Sequence, residues 1–267
     1  VSETEHARYQ AIERFMPTPG QADSGRRGKR GEEDPLTTAR WPFQQIVTAV
    51  IMKCTMADGN ISPIELITLS APDYDEREIL EGIFSILKRT PASEAEIVTY
   101  GGADHDIPLL IARAMRHGLT MPQGWSKLAF GGRGPAPQLD LLRILTGGTK
   151  LKLVHMSEFA AMLDIPAKIK GRASSVEYHI RAKDWDSVQE MCEVDVITTA
   201  LLYASWSTLI DGRCPMSTVH DRIYRKVEEL RAGRSYIPTF TTKRMQLFHA
   251  LISDAETLLE HSLPAAA

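Results

Sequence analysis

The spacing of apolar and polar side chains divides the chain into runs of two different periods. Gln44 to Met56 and Ile61 to Ser70 are rich in β-branched and apolar residues. Between them lies Ala57-Asp58-Gly59-Asn60, where the Asp-Gly pair is a strong hairpin signal, so the two runs predict adjacent antiparallel strands. Glu76 to Lys88 carries Ile79, Ile83, Ile86 and Leu87 at helical spacing, Glu96 to Tyr100 returns to a strand, and Ile107 to His117 is helical again. The predicted order is strand, strand, helix, strand, helix. Beyond Trp125 a glycine-rich stretch leads to two short helical patterns, Leu139 to Leu145 and Ser157 to Leu163, and then to a long helix from Asp184 to Asp211. Val219 to Leu230 and Lys243 to Leu259 predict two further helices, and no internal repeat is visible.

Composition adds limits more than identity. A chain of 267 residues, 43% hydrophobic and 24% charged, is ordinary globular material with enough apolar side chains for a core. A formal charge of -3 carries no global signature of polyanion binding, so any nucleic-acid contact has to come from a local patch. Cys54, Cys192 and Cys214 lie far apart with no pair at metal-ligand spacing, which argues against a disulfide framework or a zinc site and points to a reducing compartment. The longest apolar run, Ile46 to Met52, is too short to cross a bilayer, and no signal-peptide pattern is present; the expectation is a soluble, cytoplasmic protein. Val1 in place of Met leads to the further expectation that the chain begins inside a longer reading frame or after processing. Pro17 to Arg40, with Gly25-Arg26-Arg27-Gly28-Lys29-Arg30, reads as a solvated basic loop able to reach phosphate.

Two aspartates stand out against this pattern. On the long helix Trp185, Val188, Cys192, Thr199, Leu202, Trp206 and Leu209 mark one stripe, and Asp195 fills the slot between Cys192 and Thr199. A carboxylate on such a stripe is costly unless it is hydrogen-bonded, paired or bound to a cation. Asp106 follows Gly101-Gly102, a pair that lets backbone or ligand approach closely, and precedes Pro108, so helix capping alone is a sufficient explanation for it. Five histidines, His155, His179, His220, His249 and His261, are scattered without ligand-like spacing and read as surface or core residues. Lys150, Lys152, Lys168, Lys170 and Arg172, with Tyr178, form a basic cluster that reads either as a solvated face or as the lining of a strand-binding groove.

Tyr100-Gly101-Gly102-Ala103-Asp104-His105-Asp106-Ile107-Pro108-Leu109-Leu110 resembles the second motif of the family-B DNA polymerase-like 3'-5' exonucleases, Asn-Gly-x-x-Phe-Asp-x-Pro-x-Leu after a strand. Gln189-Glu190-Met191-Cys192-Glu193-Val194-Asp195-Val196, followed by Thr199, Leu201, Leu202 and Tyr203, resembles the third motif, Tyr-Cys-Glu-x-Asp-Val with a Thr-x-Leu-Leu-Tyr run. Trp41-Pro42-Phe43-Gln44-Gln45-Ile46-Val47 is similar to the family's lead into its second strand, and Leu139-Asp140-Leu141 to an element between the motifs. The resemblance departs from the pattern in several places. Gly101 stands for Asn, His105 for Phe, and Met191 and Glu190 for the Tyr or His that orients water; Gln138 and Arg143 stand for a His and an Asp beside Asp140, which itself also reads as a helix cap. The first motif, Asp-x-Glu at the end of a strand, is matched by Glu3 and Glu5, with no apolar strand before them; the alternative places that pair upstream of residue 1.

The resemblance implies an α/β, RNase H-like domain of the DEDD superfamily with a mixed central sheet flanked by helices and extra C-terminal helices. Its expected divisions are residues 1–40, an N-terminal segment with the basic loop; 41–212, the exonuclease domain; and 213–267, a helical extension offering a surface to a protein partner. It implies two Mg²⁺ or Mn²⁺ ions on Asp106, Asp195, Glu3 and Glu5, with Asp106, Asp195 and Glu193 catalytic, and 3'-5' hydrolysis of single-stranded DNA or RNA. Gly101, Gly102, His105, Lys168, Lys170 and Arg172 would contact the nucleic acid. The competing expectation is a degenerate RNase H-like module that binds nucleic acid or a protein without cutting.

Overall fold

The computed structural model describes residues 41–57, 60–130, 137–148, 151, 154–171, 175–211 and 214–262. The two β-branched runs form β1 (Thr48–Ala57) and β2 (Asn60–Ser70), paired antiparallel from Thr48 opposite Ser70 to Ala57 opposite Asn60, with an irregularity at Lys53/Cys54. The Asp58-Gly59 turn lies outside the described residues. α1 (Glu76–Arg89) starts at a reciprocal capping box: the Asp75 carboxylate accepts from the Glu78 N–H at 2.8 Å, and the Glu78 carboxylate from the Asp75 N–H at 2.8 Å. β3 (Ile97–Thr99) and α2 (Asp106–Arg116) follow as the pattern predicts.

The Leu139 to Leu145 run divides in two. Its start belongs to β4 (Gln138–Asp140), parallel to β3, and only Leu141–Leu145 forms a helix, α3. Asp140 ends the one and caps the other, which a helical pattern does not reveal. α4 (Met156–Met162), α5 (Val176–Arg181), α6 (Trp185–Asp211), α7 (Met216–Leu230) and α8 (Ile237–Ser262) complete the order.

The chain is therefore of mixed α/β class. In place of one mixed central sheet, the described strands form two separate pairs, β1-β2 antiparallel and β3-β4 parallel. Helix α6 packs against β1, β2 and β3 and so joins the two pairs through side chains rather than through a shared hydrogen-bond ladder. Strand alternation gives each pair two faces. Val98 and Leu139 pack with Val50, Met52 and Cys54 into the core around Val194, Ile197 and Leu201 of α6; Ile97 points the other way, with Ile46, into a second core of Leu80, Phe84, Ile107, Leu110 and Trp125. The α6 core continues through Val219, Ile223, Tyr224, Val227, Tyr236 and Phe240, so packing runs across the expected division at 212/213. Among the described residues no helix is long and apolar enough to cross a membrane.

Candidate functional site

The turn after β3 is shaped by one buried carboxylate. Asp140 accepts hydrogen bonds from the backbone N–H groups of Gly101 at 2.9 Å and Ala103 at 2.7 Å, and from the Thr99 hydroxyl at 3.1 Å. It also caps α3 through the N–H groups of Leu142 at 3.0 Å and Arg143 at 3.4 Å. With both oxygens used in this way, Asp140 is a fastening for the turn. Gly101 adopts φ +76°, where a side chain is strained. At Gly102 an added Cβ would lie 2.8 Å from Cβ and Cγ2 of Thr99 and 3.0 Å from Oδ2 of Asp106, so glycine is required here by close approach.

This turn delivers Asp106 to the start of α2. The capping explanation does not hold for it: the N-cap position is His105, and Asp106 is the first helical residue. Its side chain is 72% exposed, and Oδ1 meets His105 Nδ1 at 3.2 Å. His105 is bracketed on its other side by Gln44 Oε1, 3.1 Å from Nε2.

Asp195 lies in the middle of α6, its side chain 38% exposed and its two oxygens in different situations. Oδ2 accepts from the Lys168 ammonium at 2.5 Å, whereas Oδ1 is buried with no hydrogen-bond partner among the described residues. Burial raises the Asp195 pKa, the Lys168 hydrogen bond and charge oppose that rise, and the negative charge of Asp106 adds to it. The thiol of Cys192, one turn earlier, is pushed up to about 12 by burial and feels both aspartates, while the Val50 N–H of β1 favours its thiolate. The charges of Asp106 and Asp195 therefore reach each other and the Cys192 thiol.

The other carboxylates of α6 are committed elsewhere. Glu193 is fully buried; it accepts from the hydroxyls of Thr68 at 2.7 Å and Tyr236 at 2.8 Å, from Arg231 Nε at 3.2 Å and from Arg234 Nη2 at 3.2 Å, with Arg234 Nε also at ion-pair distance, 3.1 Å. Glu190 accepts from the Ser235 N–H at 2.9 Å, from the Ser235 hydroxyl at 2.5 Å and from Lys170 at 3.0 Å. The Ser235 bonds hold the Glu190 pKa below its usual value against burial, the largest influence. Met191, at the position of the family's water-orienting tyrosine, is buried.

Of the residues singled out in the sequence, the fold thus gathers Asp106, His105 and Gly102 at one turn, with Asp195 and its partner Lys168 within electrostatic reach. It directs Glu193 toward the C-terminal helices and ties Lys170 to Glu190. Glu3, Glu5 and Arg172, with Lys150 and Lys152, lie outside the described residues. No group of three or more His, Cys, Asp or Glu side chains able to hold a metal occurs among the described residues. Sequence reasoning missed the Lys168 to Asp195 pair, whose members are 27 positions apart, and the role of Gln44 beside His105.

In a comparison with known families, residues 38–243 fit the sequence model of the predicted 3'-5' exonucleases related to the exonuclease domain of PolB. No curated protein and no solved structure matches the chain.

Proposed function

Since the chain belongs to the predicted 3'-5' exonucleases related to the exonuclease domain of PolB, we propose that it hydrolyses single-stranded DNA from the 3' end with a divalent cation held by Asp106 and Asp195. The observation that carries this reading is Asp195 Oδ1. A buried carboxylate oxygen without a hydrogen bond costs free energy, and a cation coordinated there removes the cost. The negative charge of Asp106, which disfavours the charged form of Asp195, supports a shared cation, because one positive ion relieves that repulsion.

Hard carboxylate oxygens suit Mg²⁺ or Mn²⁺. When bound, such an ion supplies Lewis acidity to a phosphoryl oxygen and acidifies water. The rest of the chemistry falls to the chain. His105, between Asp106 and Gln44, fixes the orientation of the Asp106 carboxylate and presents an exposed ring to a phosphate. Gly101 and Gly102 keep the turn free of side chains where a terminal nucleotide would approach. Lys168 brings positive charge to the same place. Glu193 and Lys170, bound within the protein, take no part in the reaction on this reading.

The second reading, a module that binds without cutting, draws on the ammonium already seated on Asp195 and on Met191. One experiment separates the two. End-labelled single-stranded DNA is incubated with Mn²⁺ and either the wild-type chain or an Asp106→Asn, Asp195→Asn double variant. Shortening from the 3' end by the wild type alone supports hydrolysis. Equal products from both proteins refute it, and wild-type binding without shortening supports the second reading.

A further inference from the structure

Glu76 is the first residue of α1, where the helix dipole already favours an acid in solvent. Its side chain is instead only 11% exposed, against an Arg113 side chain that is 4% exposed. Both of its oxygens are engaged. Oε1 accepts from Arg113 Nε at 2.8 Å and from the Ile46 N–H at 2.8 Å, while Oε2 accepts from Arg113 Nη2 at 2.5 Å and meets His117 Nε2 at 2.8 Å. Burial, the largest influence, would raise the Glu76 pKa, and these bonds overcome it and hold the pKa below its usual value. The geometry points to Glu76 as a positioning residue for the proposed site: it joins α2 to the segment that carries Gln44, and so sets where His105 and the Asp106 carboxylate stand. The inference rests on the exonuclease reading above and names a group that holds its site in shape.

Three observations support it. The first is the bond to Ile46. An ion pair that only joined α1 to α2 would be complete with the two bonds from Arg113, whereas the Ile46 N–H brings in the segment ahead of β1. Ile46 stands two residues after Gln44, and the carbonyl of the next residue, Val47, accepts from the Ala71 N–H at 2.9 Å, so Gln44 extends from backbone fixed at two successive positions. The second is the seating of α2. Arg113 and His117 lie about two and three turns along the helix that opens with Asp106. Arg77 Nη1 donates to the His117 carbonyl at 2.9 Å, and at the other end of α2 the Ile107 N–H donates to the Gly102 carbonyl at 2.8 Å, so the helix is located at both ends.

The third is closure. His105 meets Gln44 Oε1 at 3.1 Å and Asp106 Oδ1 at 3.2 Å, so its ring spans the two parts that Glu76 joins. A glutamine at position 76 keeps the volume and one acceptor oxygen but turns an amide N–H₂ toward the Arg113, His117 and Ile46 donors, and leaves the buried guanidinium without its counter-charge. α2 and the Gln44 segment then shift against each other, and the contacts of His105 change with them. Glu78, two residues later, shows the contrast, because its carboxylate accepts from the Asp75 N–H and serves the start of its own helix.

The test reads the site and the reaction separately. The full chain is isotopically labelled at its histidine ring nitrogens, and ring spectra are recorded by nuclear magnetic resonance for the wild type, Glu76→Gln, Gln44→Ala and the double variant, with His105 assigned through His105→Asn. Shortening of single-stranded DNA with Mn²⁺ gives kcat and KM for the same proteins, and thermal unfolding gives their stability. Glu76→Gln is expected to move the His105 ring signals and to lower kcat about tenfold or more, with KM within about twofold of the wild type. Gln44→Ala, which leaves the buried pair intact, is expected to do the same at nearly wild-type Tm. The double variant is expected to lose little more than either alone, since both act on His105 through one connection. Unmoved His105 signals in Glu76→Gln, or losses in kcat that multiply in the double variant, overturn the inference and leave Glu76 a residue of stability only. If Glu76→Gln does not fold, Arg113→Lys, which keeps the charge and loses the fork, takes its place under the same criteria. A wild type that leaves DNA intact refutes the exonuclease reading, and the His105 signals alone then decide the positioning role.

Discussion

Replacing Glu193 by glutamine removes one charge and almost no volume, and it distinguishes a structural from a catalytic role for this residue. The carboxylate is completely buried and faces two guanidinium groups at 3.1 to 3.2 Å, with the hydroxyls of Thr68 and Tyr236 on its remaining lone pairs. Glutamine keeps one acceptor oxygen but points an amide N–H₂ at guanidinium donors. A hydrogen bond to a charged group contributes about 1.5 to 3 kcal/mol net. Arg231 and Arg234 are each about one-fifth exposed and keep some water, and Arg231 also donates to the Leu66 and Leu230 carbonyls, so the full sum is not lost. A net cost of about 3 kcal/mol follows. For a chain of this size that is a fall in Tm of about 6 to 12 °C. Circular-dichroism melting and urea unfolding measure the fall, and Mn²⁺-dependent DNA shortening per folded molecule is expected to stay near the wild-type value. An unchanged Tm with abolished shortening would refute the assignment and return Glu193 to the catalytic role that the resemblance implies.

Asp140→Ala removes the shared acceptor for Gly101, Ala103 and the start of α3, and is expected to cost about 2 to 3 kcal/mol in urea unfolding and to weaken Mn²⁺ binding through Asp106. Gly102→Ala drives a Cβ to 2.8 Å from Thr99, with an expected cost of about 1 to 3 kcal/mol; a variant as stable as the wild type would show that the turn yields. The His220 ring, buried against the Leu201 carbonyl and the Ser205 hydroxyl, has its pKa pulled down to about 4 from 6.5 by burial. Its neutral form is the one the fold favours, so its contribution is complete above 6.5 and is lost as pH falls toward 4. Between about pH 7.5 and pH 5 the wild type should lose about 2 kcal/mol more stability than His220→Gln, and parallel pH profiles for the two would contradict this.

The elements that the sequence made legible are those whose period is local. The β1-β2 hairpin, α1, α2 and α7 announce themselves because each buries one face repeatedly along its own length. β4 did not, since its Gln138-Leu139-Asp140 merges with the leucines of α3, and only the pairing with β3 distinguishes strand from helix. Helix α6 misled in a related way. It is covered on several sides, so Val188, Val194, Ile197 and Leu201 are buried, while Leu209, assigned to the apolar stripe, is 81% exposed.

The buried acids that need partners most are Glu190 and Glu193; Thr68 and Lys170 come to them from before the helix, and the other partners arrive 38 or more residues later, from Arg231 onward. Nothing in the local pattern separates such an acid from a metal ligand. Asp195 was singled out for the right physical reason, a carboxylate on a largely covered helix. The half of its need met by Lys168 depended on a loop conformation that no periodicity encodes. His105, expected as a contact to nucleic acid, stands exposed between Asp106 and Gln44.

The most direct measurement is an anomalous difference map from crystals of the full chain grown with Mn²⁺. The account predicts a strong peak coordinated by Asp195 Oδ1 and the Asp106 carboxylate. A map with no density between the two aspartates at saturating Mn²⁺, or with Asp106 turned away to solvent and ions bound elsewhere, would contradict it.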